Sequence, residues 1–548
     1  MPRYTIGVDF GSLSGRAVLV DTADGREIAS AQYEYPHAIM DCLNGRRLPD
    51  GWALQHPRDY LTVLEHTLPV LAAKVNPDEI AGIGLDCTAS TVLPVDAEGV
   101  PLCFQPEYGN NPYAYVMMWK HHGGQAQANR MTELARKRGE KWLDAYGGIV
   151  NAEWYFPKLL QILEEAPKVY HSMAHYVEAA DWLVWQLTGC HTRSYGCLGY
   201  KAFLHDGAFP DKYYFGGLNP KFADVIEEKV SGRIVPLGAC AGRLTQEAAA
   251  CYGLKAGIPV AAGNIDAHAC VPAAGIDGMG KLLAIIGTST CHIVMGKEMF
   301  PVPGMSGVVM DGVLPGLAAY EAGQSSVGDQ FHWFEINCIS GAIRAEAAAR
   351  GMSVQEWLTE KAAPMKPGQS GLVAMDWWNG NRSVLADTNL SGLILGMTLS
   401  TAPHEIYRAL LESTAYGARM ILDSYRQSGV QVDAFYASGG ISQKNSLTMQ
   451  IYADVLQLPV HVVDAAQGPA LGSAIYAAAA AGIWPDVAEG ARRMGAKVSR
   501  TYEPIAENAT VYEQLYQEYR QLHDYFGRGQ NSVMKRLKNI RKGGYTDE

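Results

Sequence analysis

One local plan occurs twice in this sequence, and the recurrence limits what the chain can fold into. Near the start, Tyr4-Thr5-Ile6-Gly7-Val8 runs through Asp9-Phe10-Gly11-Ser12-Leu13-Ser14-Gly15 into Arg16-Ala17-Val18-Leu19-Val20-Asp21. Two β-rich runs around a Gly/Ser turn read as a hairpin. Between Lys281 and Met295 the plan returns, with Gly287-Thr288-Ser289-Thr290 as the turn. A third relative, Ala434-Phe435-Tyr436-Ala437-Ser438-Gly439-Gly440, is a strand ending in paired glycines before a helix-like segment. The spacing is irregular, so this is a duplicated half and not a solenoid. Each half then owns a small-residue turn whose backbone N–H groups and hydroxyls suit a phosphate.

The rest of the chain fits two such halves. Its 548 residues call for two or more domains. Ile80-Ala81-Gly82-Ile83-Gly84-Leu85-Asp86 is a buried-strand candidate entering Cys87-Thr88-Ala89-Ser90-Thr91. Arg130 to Asp144, Glu178 to Leu187, His404 to Ser428 (stopped by Gly429) and Ser446 to Leu456 read as helices. Residues 205–220 are turn-rich and aromatic and read as a surface excursion. The Ala/Gly-rich run from Pro469 to Pro485 is too short and too weakly apolar to span a bilayer, so it reads as a buried helix. Alternating strands and helices predict mixed α/β sheets covered by helices. The boundary is placed near 255–260, where Gly253–Gly257 reads as a loop, giving 1–258, 259–526 and a basic, solvated, partly helical tail, 527–548.

Charge and cysteine usage exclude several classes. A formal charge of −11, from 45 basic and 56 acidic residues, argues against generic binding to nucleic acid or anionic membranes. The ten cysteines are scattered singly, which suits reduced thiols in a cytoplasm. No signal peptide is visible, since Asp9 falls inside the would-be apolar region.

The chemistry centres on Gly263-Asn264-Ile265-Asp266-Ala267-His268, where one carboxylate follows the strand-like run Ile258–Ala262. A lone acid about twenty residues before a phosphate-suited turn points to phosphoryl transfer, with Asp266 taking the proton of the accepting hydroxyl. The bland alternative is an Asp that makes a turn or caps a helix. Competing signatures fail. Gly275-x4-Gly280-Lys281 lacks the Ser or Thr that would face Mg²⁺, and its Lys opens a strand instead of following one. His121, His122 and His268 have no partners at metal spacing.

Taken in order, Asp9-Phe10-Gly11-Ser12, Gly84-Leu85-Asp86, Asp266, Ile286–Thr290 and Ala437-Ser438-Gly439-Gly440 resemble the FGGY family of carbohydrate kinases, in the sugar kinase, Hsp70 and actin superfamily. The resemblance covers nearly the whole chain. Thr88–Thr91, Trp119-Lys120, Gly199-Tyr200-Lys201, Gly287–Cys291 and Glu321–Ser325 followed by Gly328-Asp329 are similar to the branch that acts on L-ribulose. The resemblance implies an α/β fold of two actin-like (ribonuclease H-like) domains, with ATP and sugar meeting in the cleft between them. It implies that Asp9 handles Mg²⁺ and that Gly11 and Ser12 turn toward the phosphates. Gly287, Thr288 and Ser289 would take their other side, and Gly439, Gly440 and Asn445 would pass near the adenosine. Asp266 would be the base, with Ala89, Lys201 and Glu321 around the ketose.

The family pattern is broken at His121, where an acid is common, and at Tyr200, where His occurs; both bear on substrate choice. The residue chemistry agrees with the resemblance. Glycines let N–H groups close on phosphate oxygens, one carboxylate in a glycine turn is enough for Mg²⁺, and Lys201 can donate where Glu321 accepts. The implied function is ATP-dependent phosphorylation of the terminal hydroxyl of a ketopentose, foremost L-ribulose to L-ribulose 5-phosphate in L-arabinose catabolism. A D-ribulose or xylulose kinase is the alternative of the same class. A catalytically silent sugar or nucleotide sensor is the alternative of another class, and Asp9, Asp266 and both turns argue against it. The expected partners are ATP, the ketopentose and, as the assembly considered, a second copy in a homodimer.

Overall fold

Both hairpins form, and each becomes the middle of a seven-stranded sheet. In the computed structural model, which describes residues 3–541, Tyr4–Phe10 pairs antiparallel with Ser14–Asp21. Gly280–Ile286 pairs antiparallel with Thr290–Gly296. From each hairpin the sheet grows by the same rule. The second hairpin strand pairs antiparallel with one more strand, Glu27–Glu34 or Ala318–Gln324. The first hairpin strand pairs in parallel with Ile80–Cys87 or Val432–Ser438. A second parallel strand follows, Pro259–Ala261 or Val460–Val463. An antiparallel strand closes that edge, Cys240–Arg243 or Val498–Tyr502. The duplication read from the turns therefore extends to strand order and direction.

The parallel strands are the most apolar because helices cover both of their faces. Ile80–Cys87 is buried at every position, Asp86 included. Asn264–Ile265 also pairs with Ile80–Cys87. The change of sheet thus falls between Ile265 and Gly280, later than the 258/259 boundary read from the sequence. A loop-like Gly253–Gly257 marks the end of a helix and not the end of the sheet, which regains two strands after it.

The Ala/Gly-rich run forms the helix Gly468–Ala480. Although it comes late in the chain, it lies against the first sheet. A Cβ on Gly7 would fall 1.8 Å from the carbonyl oxygen of Ala470, and one on Gly84 would fall 2.0 Å from that of Ser473. Backbone touches backbone there, which only glycine allows. The same helix packs on Asp266–Ala273, so the element that carries Asp266 is wedged between the two halves.

Three sequence expectations shift. The helix expected over Arg130–Asp144 is Gln125–Arg138, ended by Gly139 at φ 69° and followed by a tighter turn, Lys141–Tyr146. Residues 205–220 are not only a surface excursion: Lys212–Leu218 is helical, and Tyr214 and Phe215 are fully buried. The tail begins with a helix at Val533–Arg541, where Lys535 pairs with Asp387 at 2.6 Å and Lys538 donates to the Thr388 carbonyl at 2.6 Å, so it is docked as well as solvated. The remainder of the basic tail, 542–548, lies outside the described residues.

Candidate active site

Three carboxylates meet where the first sheet ends. Register places Asp9 beside Asp86, and Asn264 on the other side of Asp86. Asp266 follows two residues later, as the first residue of its helix. Asp9 is nearly buried, and its Oδ2 lies 3.5 Å from Arg16 Nε. Burial pushes the Asp9 carboxyl up, against the pull of Asp86 and Arg16. Asp86 is fully buried; burial first and Asp9 second hold its carboxyl well above the usual range, although Ser473 Oγ donates to it at 2.5 Å. Asp266 accepts from the Ala267 N–H at 2.6 Å. Burial, then the charge of Asp9, raise it to about 7.

Asp266 and the second turn share one cavity of about 250 Å³, lined also by Ala267, Cys270, Ile285, Gly287, Thr288, Ser289, Cys291 and Pro469. The turn is held from behind: the Gly287 carbonyl accepts from Gly328 N–H at 3.0 Å, and that of Thr288 from Val327 N–H at 2.8 Å. Its front is open, since a Cβ on Gly287 would meet nothing nearer than the Ser289 carbonyl at 3.7 Å. Gly439 is different. At φ 97°, its Cβ would fall 2.4 Å from the Ile286 carbonyl oxygen, so the glycine pair is seated directly under the second hairpin, with Gly440 facing open space.

The proposed sugar residues form a second group. Lys201 Nζ lies 3.2 Å from both oxygens of Glu321, and His268 Nε2 lies 3.0 Å from Glu321 Oε2. Burial works against the Glu321 charge, but Lys201, His268 and Arg382 overcome it and hold the carboxyl well below its ordinary range. Glu321 therefore stays ionised, with three cationic or donor groups around it. Tyr200, the departure from the family pattern, is buried; its ring packs tilted against His268 with centroids 4.2 Å apart and its hydroxyl donates to the Ala319 carbonyl at 2.6 Å, so it shapes this wall instead of opening onto it. His121 is likewise buried, its ring 3.3 Å from Gln161 Oε1, and burial lowers it to about 3.

The remaining residues singled out from the sequence lie nearby or behind. Ser12 Oγ accepts from the Trp119 indole at 3.0 Å, and Gly11 N–H closes its turn on Ser14 at 3.0 Å. Ala89 is half-buried in the loop before Ser90, which takes φ 50°. Asn445 caps the helix Ser446–Leu456, and its amide reaches Thr359 at 3.3 Å and Tyr407 at 3.4 Å. Lys281, from the P-loop near miss, is occupied by Asp277 at 2.6 Å.

Sequence reasoning missed two groups. Lys158 is fully buried and donates to the carbonyls of Ser90 at 2.6 Å and Met118 at 2.9 Å, tying the Ala89 loop to the Trp119-Lys120 segment. A lysine inside the apolar run Tyr155–Leu160 was its signal. Arg382, whose side chain covers Gly323 two residues beyond Glu321, left no local signal.

The chain matches the FGGY family of carbohydrate kinases, N-terminal domain over residues 4–271 and C-terminal domain over residues 282–481. It belongs to that family, and is a carbohydrate kinase with the family's two-domain fold. More particularly, it is 50% identical over 539 residues to a ribulokinase of Bacillus licheniformis, covering 96% of this chain and 98% of that one. It is 49% identical over 548 residues to a ribulokinase of Geobacillus thermodenitrificans, covering 98% and 97%. Among solved structures, the xylulose kinase of Rhodospirillum rubrum has the same fold, with a TM-score of 0.77, 23% identity, and 95% and 98% of the two chains covered.

Proposed function

We propose that the chain transfers the γ-phosphoryl group of ATP to the terminal hydroxyl of a ketopentose, converting L-ribulose to L-ribulose 5-phosphate. The observation that carries this is the cavity in which Asp266 faces the Gly287–Ser289 turn. A phosphoryl group in transfer needs positioning and charge stabilisation more than covalent help. Backbone N–H groups and hydroxyls of Gly287, Thr288 and Ser289 hold the phosphates from one side, and Gly11 and Ser12 from the other. Gly439, Gly440 and the Asn445 segment lie along the adenosine. Ala89, Lys201 and Glu321 orient the sugar. Asp266 fixes the attacking hydroxyl and accepts its proton as the bond to phosphorus forms, and the leaving oxygen departs with ADP.

The carboxylate set fits a hard divalent cation. Asp9 and Asp86 both carry raised carboxyls, and Asp86 Oδ1 is buried with no hydrogen-bond partner among the described residues. Oxygen donors with excess negative charge suit Mg²⁺. Asp9 would hold it with Asp86 behind, and when bound it supplies charge neutralisation to the β- and γ-phosphates. The near-full-length relatives named ribulokinase favour ribulose over xylulose, and the choice of L- over D-ribulose rests on the family resemblance. All ten cysteines are free thiols, which supports a reducing cytoplasm as the setting, and no helix among the described residues is long and apolar enough to cross a membrane.

ADP release measured with L-ribulose, D-ribulose and both xyluloses tests the reading. The expected result is the highest kcat/KM with L-ribulose. A better kcat/KM with another pentulose would overturn the substrate, and no acceptor-dependent ADP with any of them would overturn the ketopentose class.

A further inference from the structure

We propose that Arg382 is a sugar-contacting residue, a second cation beside Lys201 whose guanidinium takes vicinal oxygens of the ketose. The proposal rests on the ketopentose reading above. Its geometry begins at Gly323. Along a strand, residues two apart point to the same face, so Gly323 shares its face with Glu321, the partner of Lys201. Gly323 leaves that face bare, and the Arg382 side chain fills it: a Cβ on Gly323 would fall 2.7 Å from Arg382 Cδ. The arginine is fixed there by its neighbour, since Ser383 N–H donates to the Gly323 carbonyl at 3.1 Å and Ser383 Oγ accepts from Gly323 N–H at 3.2 Å. These bonds set the arginine against the strand, with Nη1 lying over the same glycine, 3.3 Å from the Cβ position.

The head group is under-used by the protein. Among the described residues its side chain makes one contact with an acid, Glu153 Oε2 at 3.7 Å, which is ion-pair distance and too long for a hydrogen bond. A third of the side chain remains exposed. Glu153 comes from the first half of the chain and is already engaged by His122 Nε2 at 2.9 Å. Arg382 therefore sits where the two halves face each other, over Gly323, which pairs in register with Cys291 of the cavity wall, and among the described residues its donors make no hydrogen bond. A guanidinium offers five N–H groups in a planar fork and accepts nothing. The acceptors that suit it in a kinase cleft are adjacent hydroxyl or carbonyl oxygens, which an open-chain ketose presents in pairs. Lys201, bound to both Glu321 oxygens, offers a point charge; Arg382 offers a plane, and a plane discriminates between arrangements of vicinal hydroxyls.

Steady-state kinetics on R382M, R382K and E153Q, with melting temperatures on the same preparations, decide it. R382M is expected to raise KM for L-ribulose by about 10- to 100-fold while KM for ATP moves by less than about twofold. R382K restores charge without the fork, so it should recover only part of the loss; it also keeps the test open if R382M folds poorly. E153Q should have a much smaller effect. An unchanged ketose KM in folded R382M overturns the proposal. So does E153Q matching R382M, which would make the arginine a strap between the halves. Failure of the wild type on every ketopentose would instead sink the functional reading.

Discussion

The two hairpins share strand order and direction, yet the ends of their first strands carry opposite chemistry. In the first, Asp9 stands in register with Asp86 on one side and Arg16 on the other. The corresponding positions of the second are Ile285, Ser438 and Cys291. One turn therefore closes over carboxylates that burial keeps unusually basic. The other is uncharged and presents backbone N–H groups and hydroxyls. A duplicated fold has put buried carboxylates at the end of one first strand and uncharged residues at the end of the other. The helix that carries Asp266 is seated between them against Gly468–Ala480.

The largest expected effect breaks the acidic side. Asp266→Asn keeps the shape and can still accept from the Ala267 N–H, but it cannot take a proton. Turnover should fall about 10²- to 10⁴-fold, with melting temperature and affinity for both substrates nearly unchanged. A turn-holding Asp would give the reverse, lost stability with a largely intact rate per folded molecule. Turnover and melting temperature on one preparation separate the two.

The next effect sharpens the neutral side by contrasting two of its glycines. Gly287 has open space where a side chain would go, so Gly287→Val should fold and lose affinity for ATP, on the order of tenfold or more, because the branched chain stands where phosphate must approach. Gly439 is buttressed by the Ile286 carbonyl and has φ 97°. Gly439→Ala should therefore lose stability first, by roughly 1–3 kcal/mol or more. Calorimetric ATP titration and thermal melts on both variants test the contrast. Unchanged ATP affinity in folded Gly287→Val would remove that turn from the site.

What was legible in the sequence follows the same division between local and distant causes. Both hairpins, the Ser446–Leu456 helix and the buried Ala/Gly helix could be read because β-branched runs, caps and composition are local signals. The Lys201–Glu321 pair joins residues 120 apart; the family resemblance brought both to the sugar without pairing them with each other. The place of Tyr214 and Phe215 was hidden for a related reason. Gly, Pro and Asp around them announce turns, but turns do not say which rings they bury. Lys158 and Arg382 act through backbone carbonyls and a bare glycine face, and neither contact leaves a motif. The edge of the first sheet was misjudged because two short strands return to it after a glycine loop.

The smallest effect is read through pH, and it again separates the acidic wall from the neutral one. Burial and Asp9 raise Asp266 to about 7, from an ordinary value of 3.8. A base works deprotonated, so kcat/KM for the ketopentose should rise with pH up to about 7 and then level. Stability should run the other way. Between the unfolded and folded values, the folded chain holds a proton that the unfolded chain has released. The contribution is therefore full below about 4 and is lost as pH climbs through about 7. Asp266 opens on the cleft, so solvent screens part of this, and the expected shift in melting temperature is a few degrees at most. Asp266→Asn should reduce that slope, whereas Gly287→Val should leave it as in the wild type, because Gly287–Thr290 contains no carboxylate of its own. Melting curves from pH 4 to 8 on the three proteins make the comparison. An unchanged slope in Asp266→Asn would mean that another raised carboxyl carries the proton: Asp9, Asp86, Asp181 (about 7) or Glu178 (about 8).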